Sequence, residues 1–198
     1  MDSLHPDILA FAEPHGRGAA NAREAAVSLY YAVRDGYRYD PYSVSLDQDQ
    51  MRASAFLHRS KGYCIEKANL LAAAAKALGI PARLGFGDVV NHIGTEKIAR
   101  WLGTDRMVFH GYAELYLDGR WVKATPAFNR ELCEKTGVPP LEFDGVNDSL
   151  FQAYVPGGTQ FMTYVMDRGT YAEWPVEEFE AALKEYYPHL FSGKPSPS

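Results

Sequence analysis

Two side chains carry most of the reactive potential in this chain of 198 residues. Cys64 stands in "SKGYCIEKANLLAAAAKALGIPAR", after a Gly-Tyr pair and where a long Leu/Ala-rich run begins. Thiolate rather than thiol is the nucleophile, and an unperturbed cysteine is mostly protonated at pH 7. A helix N-terminus favours the anion through its unpaired N–H groups and the positive end of its dipole. Those N–H groups can also donate to an oxyanion developing on a substrate. Gly62 lets the backbone enter the helix tightly and approach a ligand closely. The bland alternative is a small buried apolar residue at a helix start. A thiol nucleophile needs a base, most often histidine. Of the six histidines, His5, His15, His58, His92 and His189 read as surface or loop residues, whereas His110 opens a strand.

That strand belongs to the clearest hairpin in the chain, "VFHGYAELYL-DG-RWVKAT". Asp118-Gly119 is the dipeptide of two-residue type I′ turns. A two-residue turn pairs Leu117 with Arg120, Tyr116 with Trp121, Glu114 with Lys123 and Tyr112 with Thr125. Alternation then puts His110, Tyr112, Glu114 and Tyr116 on one face with Trp121, Lys123 and Thr125. Gly111, Ala113, Leu115 and Leu117 take the other face with Val122 and Ala124. Thr125 becomes a diagonal neighbour of His110, within side-chain reach. Lys123 opposite Glu114 reads as a cross-strand ion pair without a functional role.

The remaining elements frame these two. Residues 1–18 read as irregular, with Pro6, Pro14, Gly16 and Gly18. Apolar residues at helical spacing predict a helix over Asn21–Arg34, ended by Asp35-Gly36. "SLDQDQMRASAFLHRS" predicts a second helix, with Ser45-x-x-Gln48 as capping box. The third runs from about Cys64 to Leu78, stopped by Gly79 and the extended Ile80-Pro81. "ARLGFGDVV" predicts a strand, and residues 91–108 a polar connection with one helical turn that forms a lid beside His110. "FMTYVMDRG" predicts another strand and "WPVEEFEAALKEYYPHLF" a last helix with Pro175 at its first position. Residues 192–198 read as a frayed tail. Helices, then strands, then a helix make an α+β fold. The length fits one domain over 1–198.

The composition, 46% hydrophobic and 23% charged, suits a globular core, and the net charge of −5 argues against a nucleic-acid partner. No apolar run reaches the roughly 20 residues needed to span a bilayer. No secretory leader pattern opens the chain, so the expected location is cytoplasmic, with Cys64 and Cys133 as free thiols and Cys133 structural. No zinc spacing, EF-hand loop or phosphate-binding loop is found.

Taken together, "GYC", "GIPAR" and "HGYAELYLDGRWVKATPAF" resemble the transglutaminase-like cysteine-protease superfamily. Its members show G-x-C at a helix start, G-I-P-A-R after that helix, an H-[AG]-[WY]-x-E-x-[YF] strand and W-V-x-x-D-P on the partner strand. The match covers about residues 62–128. The resemblance implies a papain-like/transglutaminase-like core, with the nucleophile helix packed on an antiparallel β-sheet. It makes Cys64 the nucleophile and His110 its general base and acid. Thr125 falls where the family has an aspartate that orients the histidine. A hydroxyl can accept the imidazole N–H but stabilises imidazolium less than a carboxylate does. Two outcomes follow: Thr125, or nearby Asn129, orients His110 in a weaker triad, or the site binds without catalysing.

The expected chemistry is attack on an amide (peptide, isopeptide or glutamine side chain) through a Cys64 thioester, with hydrolysis favoured over transfer. It calls for no cofactor or metal, and the expected partner is a peptide or protein substrate, with no nucleic acid and no membrane. The alternative is a peptide-binding or scaffold module using the same cleft, its aromatics drawn from Tyr63, Trp101, Phe109, Tyr112, Tyr116 and Trp121. A third reading, acyl transfer from a thioester donor, lacks a donor-site motif. Oligomeric state and substrate identity are not specified by the sequence.

Overall fold

A computed structural model describes residues 1–43, 45–92, 96–151, 158 and 161–191. In chain order the elements are α1 (Pro6–Gly16), α2 (Ala22–Gly36), β1 (Arg38–Tyr39), α3 (Ala53–Leu57), β2 (Lys61–Gly62), α4 (Cys64–Ala77) and β3 (Ala82–Asn91). Then come α5 (Glu96–Leu102), β4 (Arg106–Leu117), β5 (Arg120–Ala124), α6 (Arg130–Thr136), β6 (Met162–Tyr171), α7 (Val176–Tyr186) and a 3₁₀ turn, Pro188–Phe191. The architecture is α+β: an antiparallel sheet in the order β5-β4-β3-β6, with α4 packed on β3 and β4 and flanked by α1, α2 and α3.

Helix α4 is the centre of the core. Every residue from Cys64 to Ala75 is buried, including Glu66, Lys67 and Asn69. Its alanines let neighbouring elements approach on all sides. The sheet does so at Gly111, where an added Cβ would lie 3.0 Å from Ile65 Cα. The hairpin forms as expected. Leu117 pairs with Arg120 and Tyr116 with Trp121, and Asp118 and Gly119 have φ of 49° and 84°, the positive values a type I′ turn requires.

Three expectations are corrected. Residues 1–18 are not irregular, because Pro6 sits in the first helical turn, where no N–H is needed, and Ile8 and Ala12 are buried in the core. The second predicted helix shrinks to α3. Ser45 Oγ accepts from Asp47 N–H, closing a local turn instead of a capping box, and the chain turns until Arg52. Glu114 and Lys123 do pair in register, but the carboxylate binds Arg83 of β3 at 2.6 Å. Lys123 Nζ instead lies 5.2 Å from the centre of the Tyr112 ring. Two smaller shifts are that Pro175 caps α7 rather than opening it, and that the 91–108 connection holds the two-turn α5. The predicted frayed tail, 192–198, lies outside the described residues.

Candidate active site

Cys64 is the first residue of α4. The turn is built by Glu66, whose carboxylate accepts the Tyr63 N–H at 3.1 Å and also binds Arg59. The short parallel pair β1–β2 sets Tyr39 beside Gly62, so the helix start is walled by Tyr39 and Tyr63. From the other side, β4 crosses the helix start and the Gly111 N–H reaches Cys64 Sγ at 3.5 Å. The helix dipole was expected to lower the thiol pKa. Burial instead pushes it up to about 12, against the pull of the Gly111, Ile65 and Cys64 N–H groups. Cys64 is only 5% exposed. The closed cleft therefore stores a neutral thiol.

His110 is placed by an irregularity that the alternation argument does not contain. The β3–β4 register runs from Gly87↔His110 to Val89↔Met107, three steps on β4 against two on β3. The extra residue makes a bulge at Phe109, which has φ of 55°. Left-handed backbone at a non-glycine residue costs about 1–3 kcal/mol and persists only when neighbours enforce it. Asp88 enforces it here: its Oδ1 accepts the Phe109 N–H at 3.0 Å, while the carboxylate is held by Arg106, at 2.7 Å, and Arg168. Asp88 is fully buried, and although burial raises its pKa, Arg168, the Phe109 N–H and Arg106 bring it below the usual value. Asp88→Asn is expected to cost about 3–5 kcal/mol, because two arginines lose the buried charge they surround. Urea denaturation measures this; an unchanged midpoint would show that other contacts hold the bulge.

His110 is 3% exposed and burial lowers its pKa to about 4, so the imidazole is neutral at pH 7. It and Cys64 line the same cleft, a cavity of about 70 Å³. Neither ring nitrogen has a hydrogen-bond partner among the described residues, and neither has Thr125 Oγ1. Thr125 itself is firmly placed: its N–H donates to the Ser149 carbonyl at 3.1 Å, and its carbonyl accepts the Tyr30 hydroxyl at 3.1 Å. The alternative support, Asn129, is committed elsewhere, since its Oδ1 accepts the Tyr39 N–H at 3.0 Å. The structure thus gathers Cys64 and His110 at one cleft, leaves the buried Thr125 hydroxyl without a partner among the described residues, and turns Asn129 to β1.

Several contributors escaped sequence reasoning. Phe151 and Tyr164 lie edge-on to His110, at ring separations of 5.5 and 6.3 Å. Lys67 is fully buried, and its ammonium donates to the carbonyls of Arg34, Tyr37 and Ala127, tying α4 to the chain on either side of the site. Burial lowers its pKa to about 7. Helix α5, within the 91–108 segment, contributes Ile98, Trp101 and Leu102 to the wall of the cleft. Its Trp101 contacts Tyr42 edge-on and its backbone is tied to His189. Among the described residues, no side chain lining the cleft belongs to Asp, Glu, Lys or Arg. Among the described residues no group of three or more His, Cys, Asp or Glu side chains is arranged for a metal ion, and no helix is long and apolar enough to cross a membrane.

The family model of the transglutaminase-like superfamily matches residues 10–126, from α1 to just past β5 and including Cys64, His110 and Thr125. The chain belongs to the transglutaminase-like superfamily. No curated protein matches it. Among solved structures it is similar to the arylamine N-acetyltransferase of Nocardia farcinica (17% identity, 93% of this chain and 70% of that one, TM-score 0.49). A candidate cysteine protease from Cytophaga hutchinsonii is 19% identical over 66% of this chain and 39% of its own, with TM-score 0.46. The periplasmic domain of TgpA from Pseudomonas aeruginosa is 19% identical over 61% and 43%, with TM-score 0.40. The chain thus spans less than half the length of the last two. At these identities the three likenesses add nothing to the chemistry of the site.

Proposed function

We propose that this transglutaminase-like protein is a cysteine enzyme that attacks an amide, with Cys64 forming a thioester and His110 acting as general base and then acid. His110 takes the thiol proton as sulfur attacks the carbonyl carbon, and delivers it to the departing amine. Water then cleaves the thioester, returning the acyl group as a carboxylate and the proton to sulfur. The reading is carried by the convergence at Cys64: a thiol on the first turn of a buried helix, met by the Gly111 N–H, with a neutral imidazole in the wall of the same cleft. The helix N–H groups and that of Gly111 are placed to receive an oxyanion. Among the described residues the cleft walls carry no formal charge, which favours an uncharged acyl portion such as a peptide or a glutamine side chain. We take residues 62–128 as the catalytic core of one domain acting in the cytoplasm on peptide or protein substrates.

The test is incubation with activated amides and esters of uncharged acyl groups, followed by intact-mass and peptide mapping. The expected result is one acyl group on the peptide bearing Cys64 and none on that bearing Cys133. A protein that binds peptides without acquiring an acyl group would be the binding module instead. That second reading is favoured by one observation, the hydroxyl of Thr125 where a carboxylate would stabilise the imidazolium.

A further inference from the structure

Buried polar groups in folded proteins nearly always have hydrogen-bond partners. Around His110 this rule fails repeatedly among the described residues. Both imidazole nitrogens, Thr125 Oγ1 and the Tyr164 hydroxyl are all closed off from solvent and unpartnered. Hydrocarbon packing would not collect four such atoms in one place. Tyr164 is the residue that reaches the other two. It lies on β6 opposite Val89 of β3, and its ring stands edge-on to the imidazole at 89°. Its hydroxyl faces the Thr125 hydroxyl and the Phe151 N–H; these two oppose the burial that raises its pKa. No charged side chain contributes to the His110 shift, which is due to burial alone. The titratable groups around this cluster are Cys64 on α4, Tyr112 on β4 and Tyr164 itself.

We propose that Tyr164 is a positioning residue for His110, its hydroxyl and that of Thr125 forming a two-member chain in place of a carboxylate; this rests on His110 being the general base. None of these bonds is closed in the structure, and small side-chain rotations close them: the imidazole N–H then donates to Thr125 Oγ1, and the Thr125 O–H donates onward to Tyr164. Hydroxyls in series polarise one another by on the order of 10–30% per bond, which makes Oγ1 a better acceptor than a lone threonine. The chain fixes one imidazole tautomer, leaving the other nitrogen as the base toward Cys64. The Phe151 N–H faces the same phenol oxygen and is placed to donate to it.

Tyr164→Phe keeps the ring against His110 and removes only the hydroxyl. Nitrogen NMR of His110 at neutral pH is expected to show one dominant tautomer in the wild type and a mixture in Tyr164→Phe, with the melting temperature little changed. Alkylation of Cys64 by iodoacetamide should slow about tenfold, the low end of what losing the hydrogen-bond partner of a metal-bound histidine costs. Thr125→Asp supplies the carboxylate directly, so adding Tyr164→Phe to it should cost much less than in the wild type. An unchanged tautomer ratio in Tyr164→Phe, or an undiminished loss in the Thr125→Asp background, overturns the proposal. If the tautomers mix but Cys64 reactivity ignores His110→Gln, the positioning by Tyr164 stands and the catalytic reading of His110 falls.

Discussion

Cys64→Ala and His110→Gln will each slow amide turnover by about 10³-fold or more, and the double variant will be no slower than the worse single one. Nucleophile and base act as one unit, so removing either removes the step, and the residual rate reflects binding and oxyanion contacts alone. Both side chains are almost fully enclosed, at 5% and 3% exposure, so the variants must be shown to be folded. Cys64→Ala removes one sulfur from a well-packed wall and should cost about 0.5–3 kcal/mol. Steady-state kinetics beside thermal melts separate the two effects. Turnover that survives either substitution in a folded protein would place the chemistry elsewhere.

Stability will fall on acidification more steeply in the wild type than in His110→Gln. The His110 pKa drops from 6.5 to about 4 on folding, so between those values the unfolded chain binds the extra proton. Stability from the neutral imidazole is thus fully present above pH 6.5 and is lost as the pH falls through 4. A shift of that size corresponds to roughly 3 kcal/mol. The paired carboxylates, Asp88 among them, also lose stability in acid, but they do so in both proteins and cancel in the comparison. Cys64 has the opposite sign: its stability contribution is complete below pH 9 and is lost as the pH rises toward 12. Urea midpoints from pH 4 to pH 7 measure the first effect. Parallel curves for the two proteins would show that His110 is not enclosed as described.

The parts of this molecule that could be read from the sequence are those written in local chemistry. Asp118-Gly119 set the hairpin register, and that register correctly separated the buried Ala113, Leu115 and Leu117 from the exposed Tyr116 and Trp121. The Leu/Ala run after Cys64 and the stop at Gly79 gave α4 nearly to the residue. Long-range features were hidden. Helix α1 looked broken by Pro6 and Pro14, yet burial of Ile8 and Ala12 sustains it. The Phe109 bulge follows from a buried carboxylate two arginines hold, one of them 80 residues further along the chain. Strict alternation assigns Thr125 to the His110 face, but it contains neither the bulge nor Tyr164, which arrives from β6 through pairing with β3. At the thiol, burial reverses the sign that the helix start alone implies. A helix N-terminus lowers a cysteine pKa, but the wall of Tyr39, Tyr63 and β4 excludes water, and burial outweighs the dipole.

That reversal makes the cleft itself the control point. While the cleft excludes water, thiol and imidazole are both neutral; water or substrate reaching Cys64 removes the burial penalty and leaves the N–H groups of Gly111 and Ile65 to favour the thiolate. The measurement to make first is therefore the rate of iodoacetamide alkylation of Cys64 against pH, followed by peptide mass spectrometry, with Cys133 as internal reference. Reaction at Cys64 well below pH 8, before Cys133 responds, with the profile moved upward by His110→Gln, is the expected result. A Cys64 that stays inert in the folded protein, or that titrates as an ordinary thiol whatever residue stands at 110, would contradict a Cys64–His110 catalytic pair.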